Sequence, residues 1–259
     1  MENETDTNSW IKTNWKYIVI GLIIFGSLAV ILLQKPLAQN QFYHAFADSR
    51  PFLSVPNFGD VASNLAFLIV GVAGLWLCMR KDLGSLRNAW VVMFAGIALV
   101  GIASTYYHWT PNDRTLVWDR MTLTVGFMGL FVALLGEYIT ERFRFLLVPA
   151  VILGVFSVLY WSWFDDLRLY IWVQMVPLLI VPFVMLLFPA KFSHQWLIFV
   201  GALLYGSAKL TELGDKVIFA TTQGIVSGHT LKHLLAAAGC WAIFLALKKR
   251  HPILNLLPN

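Results

Sequence analysis

Two pairs of side chains with matching spacing are the residues of this chain best suited to chemistry. Ser104 and His108 lie four residues apart, and His229 and His233 repeat that spacing far downstream. On a helix, residues four apart share one face, with Cβ atoms about 5–6 Å apart, so two such imidazoles can bind the same ion. Asp119 follows the first of these histidines after one short loop and adds a carboxylate. Three imidazoles, a hydroxyl and a carboxylate therefore form a candidate metal site.

A set of three histidines is typical of catalytic rather than structural zinc. Structural zinc sites use four protein ligands, whereas catalytic sites keep the fourth position open for water or substrate. Imidazole also binds other transition metals, so the ligand types favour Zn²⁺ by inference only. The two cysteines, Cys78 and Cys240, form no CxxC pair, and we expect both to be buried small apolar residues.

The composition points to a membrane environment. Of 259 residues, 58% are hydrophobic and 13% are charged, whereas a soluble domain carries about 25% charged residues. The apolar runs are about 20 residues long, the length of a helix that crosses a bilayer. We therefore predict an all-α, polytopic membrane protein with eight spans. They cover about residues 17–33, 58–79, 90–109, 117–138, 145–162, 169–188, 195–213 and 229–247.

Lysine and arginine in the short loops predict the orientation of the spans. Eleven of these cations fall on the side of the N-terminus and five on the other side, so both termini are predicted to be cytoplasmic. Because these cations lie in loops where they orient the helices, the net charge of +5 does not indicate a nucleic-acid partner. With eight alternating spans, the candidate site residues all fall on the non-cytoplasmic side. The eleven cations on the side of the N-terminus are Lys12, Lys16, Arg80, Lys81, Arg87, Arg142, Arg144, Lys191, Lys248, Lys249 and Arg250.

The first span stands apart from the other seven. Tyr17–Leu33 is long for a signal-peptide core, and no small-x-small cleavage pattern follows it, so we expect a retained transmembrane helix. A polar connector, residues 34–57, separates it from the next span. We divide the chain into an N-terminal tail with an extra helix (1–40), a seven-helix core (41–250) and a cytoplasmic tail (251–259).

Other ionisable residues in the spans also need partners, because each costs about 2.5–3.5 kcal/mol in a membrane helix. Lys209 and Glu212 are three residues apart and can pair along a helix, although Glu212 could also support the site as a hydrogen-bond acceptor. Arg114 or Arg120 could satisfy Asp119 in a purely structural arrangement.

Two groups of polar residues have simple structural interpretations. Asp60 and Ser63 fit the start of the second span, where an N-cap is the alternative to a functional role. The remaining histidines lie in loops and are assigned no function. They are His44, His194 and His251.

At the candidate site residues, the sequence resembles the alkaline ceramidase family, within the seven-helix membrane hydrolases that include the adiponectin receptors. It is most similar to the bacterial branch described as alkaline phytoceramidase-like. The similarity covers about residues 44–250, the seven later spans. The motif set is Ser104-x3-His108, Asp119 and His229-x3-His233, supported by SNLAF at 63–67 and LYGSAKLTELGDKVIF at 204–219.

The resemblance implies a zinc-dependent intramembrane amidase. Such an enzyme hydrolyses the N-acyl bond of ceramide-like lipids to a fatty acid and a sphingoid base. The zinc ligands would be His108, His229 and His233. Asp119 would accept and return a proton, and Ser104 would donate a hydrogen bond to the oxyanion.

The chain departs from the family pattern in two places. The extra first span precedes the seven-helix core. Animal members carry an acidic calcium site before their first core helix, but here Asn57 stands where an acidic ligand is expected, which argues against calcium binding.

Two other functions remain open at this point. The first is a metal-dependent hydrolase of another N-acyl or ester lipid, such as a bacterial amino lipid. The second is a non-enzymatic membrane sensor or receptor, including a haem protein that uses His108 and His229 or a retinal protein that uses Lys209 or Lys232. Lys232, however, adjoins His233 and is expected to face away from the site. In every case we expect an integral protein of a bacterial inner membrane, and the oligomeric state is not predicted.

Overall fold

A computed structural model of the chain shows a bundle of membrane-length helices. It describes residues 2–253, with side chains from Asn14 onward. Within this part of the chain, eight helical stretches are long and apolar enough to cross a bilayer, which confirms the predicted all-α polytopic fold. Residues 254–259, most of the predicted cytoplasmic tail, lie outside the described residues.

The helices follow the apolar runs closely. α1 also continues N-terminally of its apolar run, as far as Glu2. The helices are α1 (Glu2–Leu33), α2 (Phe58–Ser63), α3 (Leu65–Arg80), α4 (Arg87–Trp109), α5 (Asp113–Tyr138), α6 (Leu147–Phe164), α7 (Arg168–Leu187), α8 (Trp196–Leu213), α9 (Asp215–Thr221) and α10 (Gly228–Lys249).

The second span is broken at Asn64, between α2 and α3. The Ser63 hydroxyl and the Asn64 amide both donate to the carbonyl oxygen of Asp60, at 2.9 and 2.8 Å. Side-chain bonds of this kind compete with the helical backbone pattern and bend the chain. The break directs Asp60 and Ser63 towards α10.

The core is organised around α4, which packs between α3 and α5, while α10 packs against α8 and α3. Glycines bring α4 and α5 into backbone contact. A Cβ placed on Gly96 would lie 2.4 Å from the backbone nitrogen of Gly126. Small residues allow this close approach in membrane helices, where packing drives association. The end of α4 is therefore held firmly beside the start of α5.

The extra helix α1 packs along α7. Lys16 Nζ donates to the carbonyl of Leu187 at 2.6 Å, and the Trp172 indole donates to Ser27 Oγ at 3.1 Å. From Asn14 onward, Ile20 is the one buried residue of α1 and the others are exposed or partly exposed, as expected of a helix that faces lipid. The first span thus joins the core through a single neighbouring helix.

The two ends of the bundle differ in what covers them. At one end, the connector (34–57) runs over the end of α4 and the starts of α5 and α10; we call this the connector end. At the opposite end, Lys81 Nζ donates to the carbonyls of Leu247, Lys248 and Arg250. A cation at the C-terminus of α10 stabilises the helix through its exposed carbonyls and its dipole.

Candidate metal centre

The three predicted histidines meet at the connector end. His108 lies at the end of α4, and His229 and His233 lie in the first two turns of α10. Each offers a ring nitrogen, and these atoms lie within 4.8 Å of one another. All three side chains are buried, with at most 5% of their surface exposed. The group could hold one metal ion.

The spacing of two of the nitrogens matches a tetrahedral metal site. The Nε2 atoms of His108 and His229 lie 3.3 Å apart. Two ligands of a tetrahedral zinc ion, each at about 2.0–2.1 Å from the metal, stand about 3.3–3.4 Å apart. Two lone pairs that face each other at this distance repel unless a cation or a proton lies between them. The geometry therefore fits a shared cation.

Ser63 fixes the orientation of His233. The Ser63 hydroxyl has one proton, which it donates to the carbonyl of Asp60 at 2.9 Å. Its oxygen, 2.8 Å from His233 Nδ1, therefore accepts the Nδ1–H of that ring. With the proton on Nδ1, the Nε2 lone pair is free to bind a metal. When the non-ligating N–H of a metal-binding histidine donates to a neighbouring acceptor, this hydrogen bond orients the ring and raises its basicity.

The backbones of the other two histidines are also held in place. The Asn57 amide donates to the carbonyl of His108 at 2.7 Å. The backbone N–H of His229 donates to Asp215 Oδ1 at 2.8 Å, and the other oxygen of that carboxylate accepts from the Ala47 N–H at 2.9 Å. These bonds tie α4 and α10 to the connector.

The connector also covers the histidines. The ring of Phe46 lies 4.6 Å from the ring of His108 and 4.8 Å from that of His229, measured between centroids. His44, which was assigned no function, bonds the Tyr107 hydroxyl at 2.9 Å and Asp113 at 3.1 Å. His44 thus helps to anchor the connector, and Phe46 excludes water from one side of the centre.

Asn57, where a calcium ligand was considered, and the nearby Asp48 both make contacts within the chain. Asn57 supports His108, as described above. The carboxylate of Asp48 accepts from Arg50 Nε and Nη2, both at 2.7 Å. These hydrogen bonds hold the pKa of Asp48 below its usual value. The Asp48 carboxylate is therefore neutralised by a guanidinium group.

Ser104 and Asp119 lie beside the histidines, as predicted. Ser104 is buried one turn before His108 on α4, and its hydroxyl lies beside the Asp119 carboxylate. Both residues and His233 line a polar cavity of about 220 Å³. Arg120, an alternative partner for Asp119, donates instead to Gln39 Oε1 at 2.7 Å. The carboxylate consequently faces a cavity next to the candidate metal site.

The expectation that Lys232 faces away from the site was wrong. Its Nζ lies 2.7 Å from Nε2 of His229 and 2.9 Å from Glu212 Oε1. The spacing contained this information, because Lys232 follows His229 by three residues and so shares its helix face. The predicted pair of Lys209 and Glu212 is confirmed at 3.0 Å. Glu212 therefore bonds two ammonium groups beside the centre.

The N-cap interpretation of Asp60 was also wrong. The N-cap of α2 is Asn57, and the Asp60 carboxylate is fully buried. Its Oδ1 accepts from Thr230 Oγ1 at 2.7 Å and from Ser227 Oγ at 3.3 Å. Asp60 supports the start of α10, which carries two of the histidines. These partners lie far away in the sequence, so only the folded chain reveals them.

The polar cavity continues into an apolar cleft. Phe67, Val100, Leu123, Tyr205 and Ala236 line both spaces. Deeper in, α7 and α8 provide apolar walls on facing sides of the cleft. α7 packs against α5 and α6, whereas α8 packs against α10, so the cleft lies between two separately supported helices. Its lining suits an acyl chain.

The geometry does not favour a haem held by two of the histidines. Axial ligands of a haem stand on opposite faces of the macrocycle, but the Nε2 atoms of His108 and His229 lie 3.3 Å apart, with Phe46 packed on both rings. Lys209 and Lys232, the candidate Schiff-base residues, both bond Glu212.

A scan against models of known protein families found no match to this chain, and a search of curated proteins found none either. Residue types and geometry are thus the basis for a functional interpretation. They establish an integral membrane protein with a buried three-histidine group that could hold a metal ion.

Proposed function

We propose that this chain is a zinc-dependent intramembrane amidase of N-acyl lipids, related to the alkaline ceramidases. The observation that carries the proposal is the convergence of the three-histidine group with the pair Ser104 and Asp119 on one polar cavity. The cavity continues into an apolar cleft, which provides space for the acyl chain of a lipid. The family resemblance adds ceramide-like lipids as the expected substrates.

The metal would be held by His108, His229 and His233. Bound zinc supplies a Lewis acid that makes water a nucleophile near neutral pH. The orphaned Nδ1 of buried His108 and the Ser63 bond to Nδ1 of His233 leave Nε2 as the metal-facing nitrogen of both rings. The chain thus presents Nε2 of His108 and of His233 to one ion, and the metal would replace the Lys232 ammonium at Nε2 of His229.

Asp119 acts as the proton carrier in the proposed reaction. Its carboxylate accepts a proton from the attacking water, and the water oxygen forms a bond to the acyl carbon. The C–N bond then breaks, and the same proton passes to the leaving nitrogen. The products are a fatty acid and an amine, which together contain the atoms of the amide and one water.

Ser104 links the proton carrier to the oxyanion. While Asp119 is ionised, the Ser104 hydroxyl donates to it. Once Asp119 holds a proton, Ser104 can accept from it and turn its own proton to the acyl oxygen. Stabilisation of an oxyanion by one such donor contributes about 2.7–4 kcal/mol in characterised enzymes. The hydroxyl is thereby available when the charge develops.

The excess of loop cations on the side of the termini supports a site near the non-cytoplasmic face of the membrane, with both termini cytoplasmic. The proposed location is a bacterial inner membrane. A lipid from the outer leaflet would place its amide at the connector end of the bundle and its acyl chain in the cleft between α7 and α8.

Hydrolysis by purified protein tests the proposal. We expect release of fatty acid from a short-chain ceramide or a simple N-acyl amine, loss of this activity with a chelator, and recovery with Zn²⁺. His233→Ala should remove both the zinc and the activity, whereas His251→Ala, an exposed histidine at the opposite end, should retain both. Full activity and full zinc content in His233→Ala protein would refute the proposal.

A further inference from the structure

The polar cavity contains more cationic than anionic side chains. Its charged lining residues are Asp119, Arg120, Lys209, Glu212 and Lys232. Three of these are cations and two are acids. A metal ion at the histidines would add further positive charge to the same space. Buried charge in a membrane protein is costly unless it is paired, so the excess calls for an anionic partner.

Arg120 is a buried cation with one unpaired donor group. The residue is 6% exposed, and its Nη2 donates to Gln39 Oε1 at 2.7 Å. Its Nη1 is buried and has no hydrogen-bond partner among the described residues. A guanidinium group stays protonated in proteins, so this donor remains in a charged group.

Aromatic rings hold the Arg120 guanidinium in one place. Its central carbon lies 4.1 Å from the ring of Trp161, 4.7 Å from that of Tyr170 and 5.6 Å from that of Tyr43. These cation–π contacts stabilise the charge without using its N–H donors. A fixed and only partly satisfied arginine on a cavity wall is suited to bind an anion.

Lys209 adds to this excess. It and Lys232 share the single carboxylate of Glu212, at 3.0 and 2.9 Å. With Asp119 as the second acid that lines the cavity, the three cations exceed the two acids by one positive charge. Lys209 lines the same cavity as Arg120. The wall therefore presents two cations whose charge the protein does not fully neutralise.

We propose that the substrate is an acidic N-acyl lipid, whose amine portion carries an anionic group that binds Arg120 with support from Lys209. This inference rests on the proposed amidase function and refines its substrate class. Arg120 neighbours Asp119, which returns the proton to the leaving amine, so the anionic group belongs on the amine side of the scissile bond. An N-acyl amino acid, with a carboxylate next to the amide nitrogen, is the simplest compound of this class.

Matched ligands test the inference by binding as well as by turnover. The probes are N-dodecanoylglycine, its methyl ester and N-dodecanoylethanolamine, which share one acyl chain and differ in charge. A charge-assisted hydrogen bond corresponds to about tenfold or more in affinity. We expect zinc-loaded protein in a neutral detergent to bind the acid about tenfold more tightly than either neutral probe.

Variants separate the Arg120 contact from nonspecific binding of anionic amphiphiles. Arg120→Gln should raise the Kd and KM for the acid about tenfold and change the Kd of the neutral probes much less. Lys209→Gln should produce a smaller change of the same kind. Arg120→Lys should retain part of the preference because it keeps the charge. Arg142→Gln, an exposed arginine at the opposite end, should leave the preference intact.

The outcomes distinguish the inference from the function on which it rests. Equal or tighter binding of the neutral probes to wild-type protein overturns the acidic-lipid inference, even if amides are hydrolysed. A preference for the acid that survives in Arg120→Gln protein overturns the role of Arg120. Selective binding of the acid without hydrolysis of any probe supports the anionic subsite and counts against the amidase.

Discussion

Asp119 and Glu137 are two acidic residues on the same helix, α5, near its opposite ends. Glu137 is buried, accepts hydrogen bonds from the Trp90 indole at 3.0 Å and from Arg250, and has its charge neutralised by that guanidinium. Asp119 has the Ser104 hydroxyl beside it and faces a cavity. The Glu137 carboxylate is therefore paired within the chain, whereas the Asp119 carboxylate is accessible from the cavity.

The same difference extends to the neighbours of each carboxylate. Among the described residues, six buried side-chain polar atoms have no hydrogen-bond partner, and four of them belong to residues at the connector end of the bundle. The other two belong to Gln195, which lies against Glu137. Unpaired polar atoms are rare in protein interiors, and of these four Arg120 Nη1 belongs to a residue that lines the polar cavity, where a ligand can reach it. The four are Asp60 Oδ2, Asn64 Oδ1, His108 Nδ1 and Arg120 Nη1.

Among the substitutions that test the difference between Asp119 and Glu137, a change at Asp119 should have the largest effect. Asp119→Asn keeps the size of the side chain but cannot carry the proton, so amidase activity should fall about 10²–10⁴-fold. Metal content and thermal stability should change little. Kinetics with metal analysis on the same preparation provide the measurement. An active Asp119→Asn protein would remove the proton-carrier role.

At the other end of α5, Glu137→Gln should lower the unfolding free energy. Loss of one partner leaves the Arg250 charge buried and unpaired, at a cost of about 3–5 kcal/mol in unfolding free energy. Zinc content and activity per folded molecule should be retained. Thermal denaturation in detergent measures the effect, with exposed Glu141→Gln as the control. A large loss of metal in Glu137→Gln protein would mean that the two ends are not independent.

Ser63→Ala tests the contact that orients His233. Removal of an acceptor for the Nδ1–H should weaken zinc binding about 10–100-fold, because partners of this kind fix the ligating ring. Ser157→Ala is a matched control, since Ser157 is also buried and also donates to a carbonyl three residues earlier. Competition with a fluorescent zinc chelator measures both affinities. Equal affinity in the two variants would show that Ser63 does not position the ligand.

The smallest effect is expected at Asp166, in the loop before α7. Hydrogen bonds from Arg168 lower the pKa of Asp166 below its value of about 3.9 in an unfolded chain. The carboxylate therefore stabilises the fold above that pH, and the contribution disappears as the pH falls through the folded-state pKa. Asp166→Asn should cost about 1 kcal/mol at pH 7 and progressively less towards pH 3. Denaturation at several pH values tests this, and a pH-independent difference would contradict it.

Local sequence patterns were enough to predict much of the fold and the five site residues. The spans are apolar runs of bilayer length, and helix alternation placed Ser104, His108, Asp119, His229 and His233 at one end. Their convergence could be predicted because spacing and alternation are regular.

The supporting contacts could not be predicted in the same way. The bond between Ser63 and His233 and the bond between Asp60 and Thr230 each join residues 170 positions apart. Their geometry depends on the break at Asn64 and on how α2 meets α10. Such contacts have no periodic signature in the sequence.

X-ray absorption at the zinc edge of purified protein tests the central claim most directly. We predict about one zinc per chain, bound by three imidazole nitrogens and one oxygen at about 2.0–2.1 Å, with loss of the signal in His108→Ala protein. Protein without zinc, or an unchanged spectrum in His108→Ala, would contradict the metal centre.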